Sequence, residues 1–328
     1  MNPVGNPYLS IVIPSYNRAD FLDKSLSVHV PLARSHNLQI FISDNASSDN
    51  TQDIIAKWQK EYSLIRSLRN ETTVGPEANF EKALKAANTQ YVWLLGDTSK
   101  IPEKGIVSVL KLIESSNSYS AIVVNLIDKN TTASRNYSCP DALLTELAGI
   151  MSCMSCLIYN RELIASADFN RYIGSYFMQT GVILEHAARD NTLIRWEQEI
   201  SITSLESPTL QKKGWAHTPK IFEVGIEKWV NFIFSLPSTY ALKSKLSACR
   251  SFGTISGAFS VRGMVSLRVR GLLSYSIYRR FKPALRLSID YPLMIVAVIS
   301  LTPRPLLKAM TDVYLHLTRN RPPESGYQ

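Results

Sequence analysis

The 328 residues predict an α/β fold, a mostly parallel sheet with helices on both faces, followed by a helical, basic C-terminal region. Three observations predict it. Apolar, β-branched runs alternate with segments of helical period across residues 9–126. Three of those runs stop in clusters of short polar residues. The charge is also divided: residues 241–328 hold 14 Lys and Arg against three acids, whereas residues 1–240 hold 22 bases against 24 acids. Two charge regimes argue for two regions, 1–220 and 221–328.

Residues 9–13 (LSIVI) form a buried-strand run that ends at Pro14. Asp20 suits the cap of the helix that follows, with Phe21, Leu22 and Leu26 on its apolar face. A second strand, 38–43 (LQIFIS), ends in the polar loop from Asp44 to Asn50. Within that loop Asp49 and Asn50 read as caps for a helix carrying Ile54, Ile55 and Trp58. Residues 64–68 make a weaker strand, and Gly75-Pro76 breaks the chain before a helix with Phe80, Ala83, Leu84 and Ala87. Residues 91–95 (YVWLL) and 121–126 (AIVVNL) are further strands, the first ending in Gly96-Asp97-Thr98-Ser99.

Composition narrows the classes. Apolar residues at 45% and charged residues at 19% argue against disorder, and the 14 Gly and 16 Pro show no repeat. The longest apolar run, 291–301, is too short for a spanning helix. No export signal is visible at the N-terminus, which predicts a cytoplasmic chain. Cys153 and Cys156 form a C-x-x-C without partners for a zinc site, and read as small residues of a strand over 150–159, facing opposite sides. The stretch 206–220 reads as a loop whose Trp215 either stacks on a ligand or anchors the loop.

In the basic region, Leu306, Leu307, Met310, Val313, Tyr314 and Leu317 mark one helix face, with Lys308, Asp312, His316 and Arg319 opposite. An apolar stripe flanked by bases predicts contact with an anionic membrane surface. No nucleic-acid motif accompanies the charge, so nucleic acid is not an expected partner.

In sheets of this kind ligands bind beyond the carboxyl ends of the strands. Ser15-Tyr16-Asn17-Arg18, Asp44-Asn45 and Asp97-Thr98-Ser99 each follow a strand and would share one rim. Neither G-x-G-x-x-G nor a P-loop occurs, which argues against dinucleotide redox and P-loop phosphoryl transfer. A carboxylate such as Asp44 can accept from the N–H of a base. Asp97 can bind ribose hydroxyls or a divalent cation bridging a diphosphate.

The runs IVIPSYNR (11–18), ISDNASSDNT (42–51) and YVWLLGD (91–97), with Asn70, Gly75 and Asn79 between them, resemble the family-2 glycosyltransferases, inverting enzymes with the nucleotide-sugar-binding GT-A fold. The resemblance implies that Pro14, Tyr16, Asn17 and Arg18 line a nucleotide pocket and that Asp44, with Asn45 beside it, reads the base. Gly75 and Asn79 would lie against the nucleotide, and Asp97 would hold Mn²⁺ or Mg²⁺. More distantly, the chain is similar to enzymes that build bacterial O-antigen or capsule repeats on a lipid carrier.

Two departures from the family pattern stand out. The carboxylate run usual after this strand is reduced to Asp97-Thr98-Ser99, leaving one carboxylate and the Ser99 hydroxyl for a metal. At the position expected for the general base stand Gln179 and Thr180, neither basic near neutral pH. Glu185 and His186, further along the same segment, are then the candidate bases, ahead of Asp168 and Asp190. These readings predict an inverting glycosyltransferase that moves a sugar from a nucleotide diphosphate sugar to a lipid-linked saccharide in surface polysaccharide synthesis, peripheral on the inner membrane face. The competing expectation is a GT-A module that binds nucleotide without transfer and acts as a scaffold.

Overall fold

A computed structural model of the chain describes residues 5–115, 118–189, 191–205 and 214–319, with side chains as far as 312. The first half alternates β1 (Leu9–Ser15), α1 (Ala19–Arg34), β2 (Gln39–Asp44), α2 (Thr51–Glu61), β3 (Ile65–Arg69), α3 (Pro76–Ala86) and β4 (Tyr91–Leu94). Then come β5 (Ser99–Lys100), α4 (Gly105–Glu114), β6 (Ala121–Leu126), β7 (Arg135–Tyr137), α5 (Pro140–Met151), β8 (Leu157–Asn160), α6 (Arg161–Ser166), α7 (Met178–Ala187) and β9 (Ile194–Ser204). Every described element beyond β9 is helical: α8 (Lys220–Phe222), α9 (Trp229–Ser235), α10 (Leu242–Ser256), α11 (Val261–Val269), α12 (Tyr275–Ser288), α13 (Leu293–Leu301) and α14 (Arg304–Arg319).

The sheet runs β3-β2-β1-β4-β8-β6-β9-β5, with β7 beside β9. Its β3-β2-β1-β4 half is parallel, as the strand–helix alternation predicts. Beyond it β8 lies antiparallel between β4 and β6, so the sheet is mixed in its second half. β1 and β4 are buried along their whole length, the state of central strands covered on both faces.

Three local expectations change. Arg18, not Asp20, stands at the N-cap of α1, and the free Ala19 N–H donates to Asp49 Oδ2 (2.9 Å), a cap supplied by another loop. The run 150–159 is not one strand: α5 ends at Met151, Met154–Cys156 form a 3₁₀ turn and β8 begins at Leu157. Cys153 and Cys156 therefore share a turn, and the Cys156 thiol donates to the Asn125 carbonyl (3.5 Å). Trp215 packs its ring near Phe252 (6.1 Å between centroids), the anchoring role. The rest of that expected loop, 206–213, lies outside the described residues, as does Asp190.

The helical region is welded to the sheet domain by aromatic rings. Phe177, at the start of α7, meets Trp229 edge-on at 4.7 Å and Phe232 at 5.5 Å, and Trp229 donates its indole N–H to the Ala248 carbonyl (2.9 Å). Buried aromatic pairs of this kind add about 0.5–1.5 kcal/mol each beyond their burial.

His29 ties α1 to the chain leaving β5. Its Nδ1 lies 2.7 Å from the Ser25 carbonyl, and its Nε2 accepts from the Ile101 N–H at 3.2 Å, which requires the neutral ring. Burial pushes this imidazole down from 6.5 to about 4, against the pull of the Ser25 carbonyl. The unfolded chain takes up the proton near its ordinary value and the folded chain only near the lowered one. Stability therefore rises with pH across that window and is lost as pH falls through it. Between neutral pH and about pH 4.5 the wild-type chain should lose roughly 2–3 kcal/mol more, by urea titration, than His29→Gln. Equal slopes in the two proteins would refute the assignment.

Candidate functional site

The parallel register sets Ser15 level with Asp44 and Val12 level with Leu94, so the loops after β1, β2 and β4 emerge side by side. They bound a cleft of 1180 Å³. Of the residues expected to bind nucleotide, Pro14, Tyr16, Asn17, Arg18, Asn45, Asn79 and Asp97 line it. Gly75 sits between two lining residues, Val74 and Pro76. Among the described residues, its two chain neighbours aside, no atom lies within 4 Å of where a Cβ at Gly75 would stand, and its φ of −57° is ordinary. The protein's own packing does not demand glycine there.

Asp44 differs from expectation. Its carboxylate is wholly buried and does not face the cleft. Oδ1 accepts from the Ser47 N–H (3.1 Å), and Oδ2 accepts from Gln52 Nε2 (2.6 Å) with Arg69 Nε at 3.6 Å. Asp44 thus fastens the turn after β2, where Ala46 holds a left-handed φ of 58°. The residue of that pair that reaches the cleft is Asn45. Asp44 and Asp97 share a rim, but only Asp97 opens onto the cleft.

Several amides shape the wall. Asn45 donates to the Val74 carbonyl (2.7 Å) and accepts from the Val74 N–H (2.9 Å), pinning the segment before α3. Asn79 accepts from Ser43 Oγ (2.7 Å) and donates to the Ser43 carbonyl (3.0 Å). Asn17, at φ 51°, accepts from the Ser48 N–H (2.7 Å) and so ties the β1–α1 loop to the β2–α2 loop. Asp49 makes the second tie through Ala19. Burial raises its pKa, but hydrogen bonds from Thr51 and the Ala19 N–H outweigh that and hold its carboxyl below the usual range.

Arg18 and Asp97 face one another at the end of β4. Arg18 Nε lies 3.1 Å from Asp97 Oδ2, and the guanidinium stacks over Phe21 at 4.5 Å. The Asp97 loop is braced from behind by Ser155, whose Oγ accepts from the Gly96 N–H (2.9 Å) and donates to Ser99 Oγ (2.8 Å). Ser15 was placed in the rim cluster without a role. Its side chain is buried at 3% exposure, lines the cleft, and its Oγ has no protein partner among the described residues. A buried hydroxyl left in this state is suited to a ligand. Met154 also lines the cleft, a residue whose sequence position carried no such signal.

The candidate bases fare differently. Glu185 pairs with Arg171 (3.2 Å) and accepts from the Tyr172 hydroxyl (2.7 Å), and His186 next to it is lowered in pKa by burial. Neither lines the cleft. The structure gives the expectation that one of them is the base no support: Glu185 is engaged in an ion pair with Arg171, and neither residue reaches the cleft lining. Gln179, at the base position, is buried and also outside the lining. Asp168 caps the turn at Phe169–Tyr172 by accepting from the Asn170 N–H (3.1 Å). A carboxylate that went unnoticed, Glu77, accepts from the Gly174 and Tyr176 N–H groups (2.6 and 2.7 Å). It holds the loop before α7 against α3; one acidic residue in a helical first turn gave no hint of this reach.

Among the described residues no three His, Cys, Asp or Glu side chains stand close enough to form a metal cluster. The lining carries Arg18 against Asp20, Asp49 and Asp97, one positive charge against three negative. Such a cleft favours a cation, and the Asp97 carboxylate suits one shared with substrate phosphates, the usual habit of Mg²⁺-like ions; Ser99, whose hydroxyl accepts from Ser155, does not line the cleft.

Residues 10–150 match the model of the family described as Glycosyl transferase family 2. The chain is 25% identical over 260 residues to the abequosyltransferase RfbV of Salmonella typhimurium, covering 69% of this chain and 75% of that one. It is 26% identical over 134 residues to the GalNAc(5)-diNAcBac-PP-undecaprenol beta-1,3-glucosyltransferase of Campylobacter jejuni, covering 40% and 42%. The solved mannosyltransferase PcManGT of Pyrobaculum calidifontis, in complex with GDP-Man and Mn²⁺, superposes with a TM-score of 0.52 at 13% identity, covering 95% of this chain and 89% of that one. Residues 10–150, which match the family-2 glycosyltransferase model, supply every lining residue of the cleft but Met154; the fold is GT-A, and the chain is a glycosyltransferase.

Proposed function

We propose that this glycosyltransferase moves one sugar from a nucleoside-diphosphate sugar to a lipid-linked saccharide in surface polysaccharide synthesis, with inversion at the anomeric carbon. The observation that carries the reading is the cleft at the ends of β1, β2 and β4, where Arg18 and Asp97 meet beside the unpartnered Ser15 hydroxyl. Tyr16, 45% exposed at the mouth, offers a ring for a base to stack on, and the open space at Gly75 admits the nucleotide close to the backbone. Arg18 suits the diphosphate, because its planar fork matches phosphate oxygens. A bound divalent cation, Mn²⁺ or Mg²⁺, would neutralise the leaving diphosphate, and Asp97 is the carboxylate that would hold it. The acceptor class follows the Campylobacter relative, whose name carries an undecaprenol diphosphate.

The acceptor reading has support in the C-terminal helices. Among the described residues no single helix is long and apolar enough to cross a membrane; α13 and α14 together would qualify by length and composition, but they are bent by 104°. α13 exposes Met294 (73%) and Leu301 (61%), and α14 exposes Met310 (59%), with Arg304 and Lys308 also at the surface. Leu307 of the predicted stripe turns inward, and the side chains of Val313, Tyr314, His316, Leu317 and Arg319 lie outside the described residues. Apolar side chains flanked by bases on a bent pair suit a seat in the headgroup layer of an anionic membrane, here the cytoplasmic face.

A panel of nucleotide sugars tests the first claim. One donor should raise the melting temperature by several degrees and yield nucleoside diphosphate when a lipid-linked acceptor is added, with the product anomer inverted by NMR. No shift and no release across the panel would end the reading. Gly75→Val should leave the melting temperature unchanged and weaken donor binding at least tenfold. For the membrane claim, vesicles with anionic lipid should co-sediment the full chain but not the variant Met294→Gln/Leu301→Gln/Met310→Gln, whose changes are all on exposed positions. Equal sedimentation would sink it.

A further inference from the structure

We propose that Arg18 and a divalent cation are alternative partners of the Asp97 carboxylate, so that the arginine keeps metal out of the empty cleft. The inference rests on the nucleotide-sugar reading for its substrate, though not for its geometry. The Asp97 side chain is only 6% exposed, and Arg18 Nε already stands 3.1 Å from its Oδ2. A buried carboxylate needs a counter-charge, and here the guanidinium supplies it. A metal ion approaching Asp97 would meet that positive charge at ion-pair distance and would have to displace it.

The arginine has somewhere else to go. Its side chain is 29% exposed on the cleft wall, and its stacking on Phe21 at 4.5 Å keeps the guanidinium at the opening rather than in the core. The same fork that grips a carboxylate grips a phosphate. The charge of the cleft points the same way. With Arg18 against Asp20, Asp49 and Asp97, the lining sums to −2 (one minus three), and a diphosphate alone makes it more negative. A nucleoside diphosphate gives Arg18 a second anion to serve and draws its charge away from Asp97, where a cation can take its place. Metal and nucleotide affinities are then linked, each raising the other by the same factor.

Free Mn²⁺ followed by electron paramagnetic resonance, on the full chain, reads this directly without any transfer reaction. Without nucleotide, Arg18→Gln should bind Mn²⁺ at least tenfold more tightly than the wild type, and Arg18→Gln/Asp97→Asn should lose that gain. Arg18→Lys, which keeps the charge, should stay near the wild-type affinity. An Arg18→Gln affinity equal to the wild type's, or a gain that survives Asp97→Asn, would overturn the proposal. So would a gain of the same size in Arg18→Lys. The wild type is also titrated in the presence of UDP, GDP, CDP or dTDP, and one of them should tighten Mn²⁺ at least tenfold. If none does while the Arg18→Gln gain appears, the competition at Asp97 stands and the nucleotide reading fails instead.

Discussion

Six consecutive parallel pairs join β1 to β2, from Ser10 opposite Gln39 to Ser15 opposite Asp44, and the other edge of β1 holds β4. The ladder extends past the strands: Asn45 N–H donates to the Ser15 carbonyl, Asn70 N–H to the Asp44 carbonyl and Leu95 N–H to the Val12 carbonyl, each at 2.9 Å. A slip of one residue would turn every side chain of β1 to the opposite face. Because β1 is buried throughout, that slip would place Ser and Pro where Ile and Val now pack, and the three polar loops would no longer share a rim. The cleft exists because this register admits no neighbour.

On that frame the polar residues divide by what they hold. Asn17, Asp49 and Glu77 each bind backbone N–H groups of another loop, Asp44 binds the Ser47 N–H of its own turn, and their work is to fix where loops stand. Charge-assisted bonds of this type are stronger than neutral ones, which is why carboxylates recur at the joints. Ser15, Tyr16, Arg18 and Asp97 present themselves to the cleft, and of the loop-holding set Asn17 and Asp49 line it as well. The cleft is therefore held in shape by side chains some of which also line it. Ser155, on the turn before β8, does the same work for the loop after β4, bracing Gly96 and Ser99 through a single hydroxyl.

The helical C-terminal region is part of that support. Phe177 closes the loop that Glu77 grips, and its ring packs on Trp229 and Phe232 of α9. Tyr240 reaches back to the Leu184 carbonyl of α7 at 2.6 Å. The basic helices therefore reach the sheet domain through a buried aromatic joint, while α13 and α14 bury Val296, Ile299 and Leu307 and leave Met294, Leu301 and Met310 exposed.

Much of this was legible in the chain alone. Apolar runs such as LSIVI and YVWLL mark buried strands, and the polar clusters after them mark the rim. The basic excess of residues 241–328 over residues 1–240 is equally plain in the chain. The choice between Asp44 and Asn45 was not legible, nor was the pairing of Glu185 with Arg171 or the reach of Glu77 across 97 residues to Gly174. Strand periodicity, turn chemistry and charge are properties of neighbours in sequence, so the sequence by itself determined where strands stop and which residue types gather there. Adjacent side chains at a strand end point to opposite sides, and partners distant in the chain claim one of them; only the tertiary structure decided which carboxylates and amides hold the loops and which face the cleft.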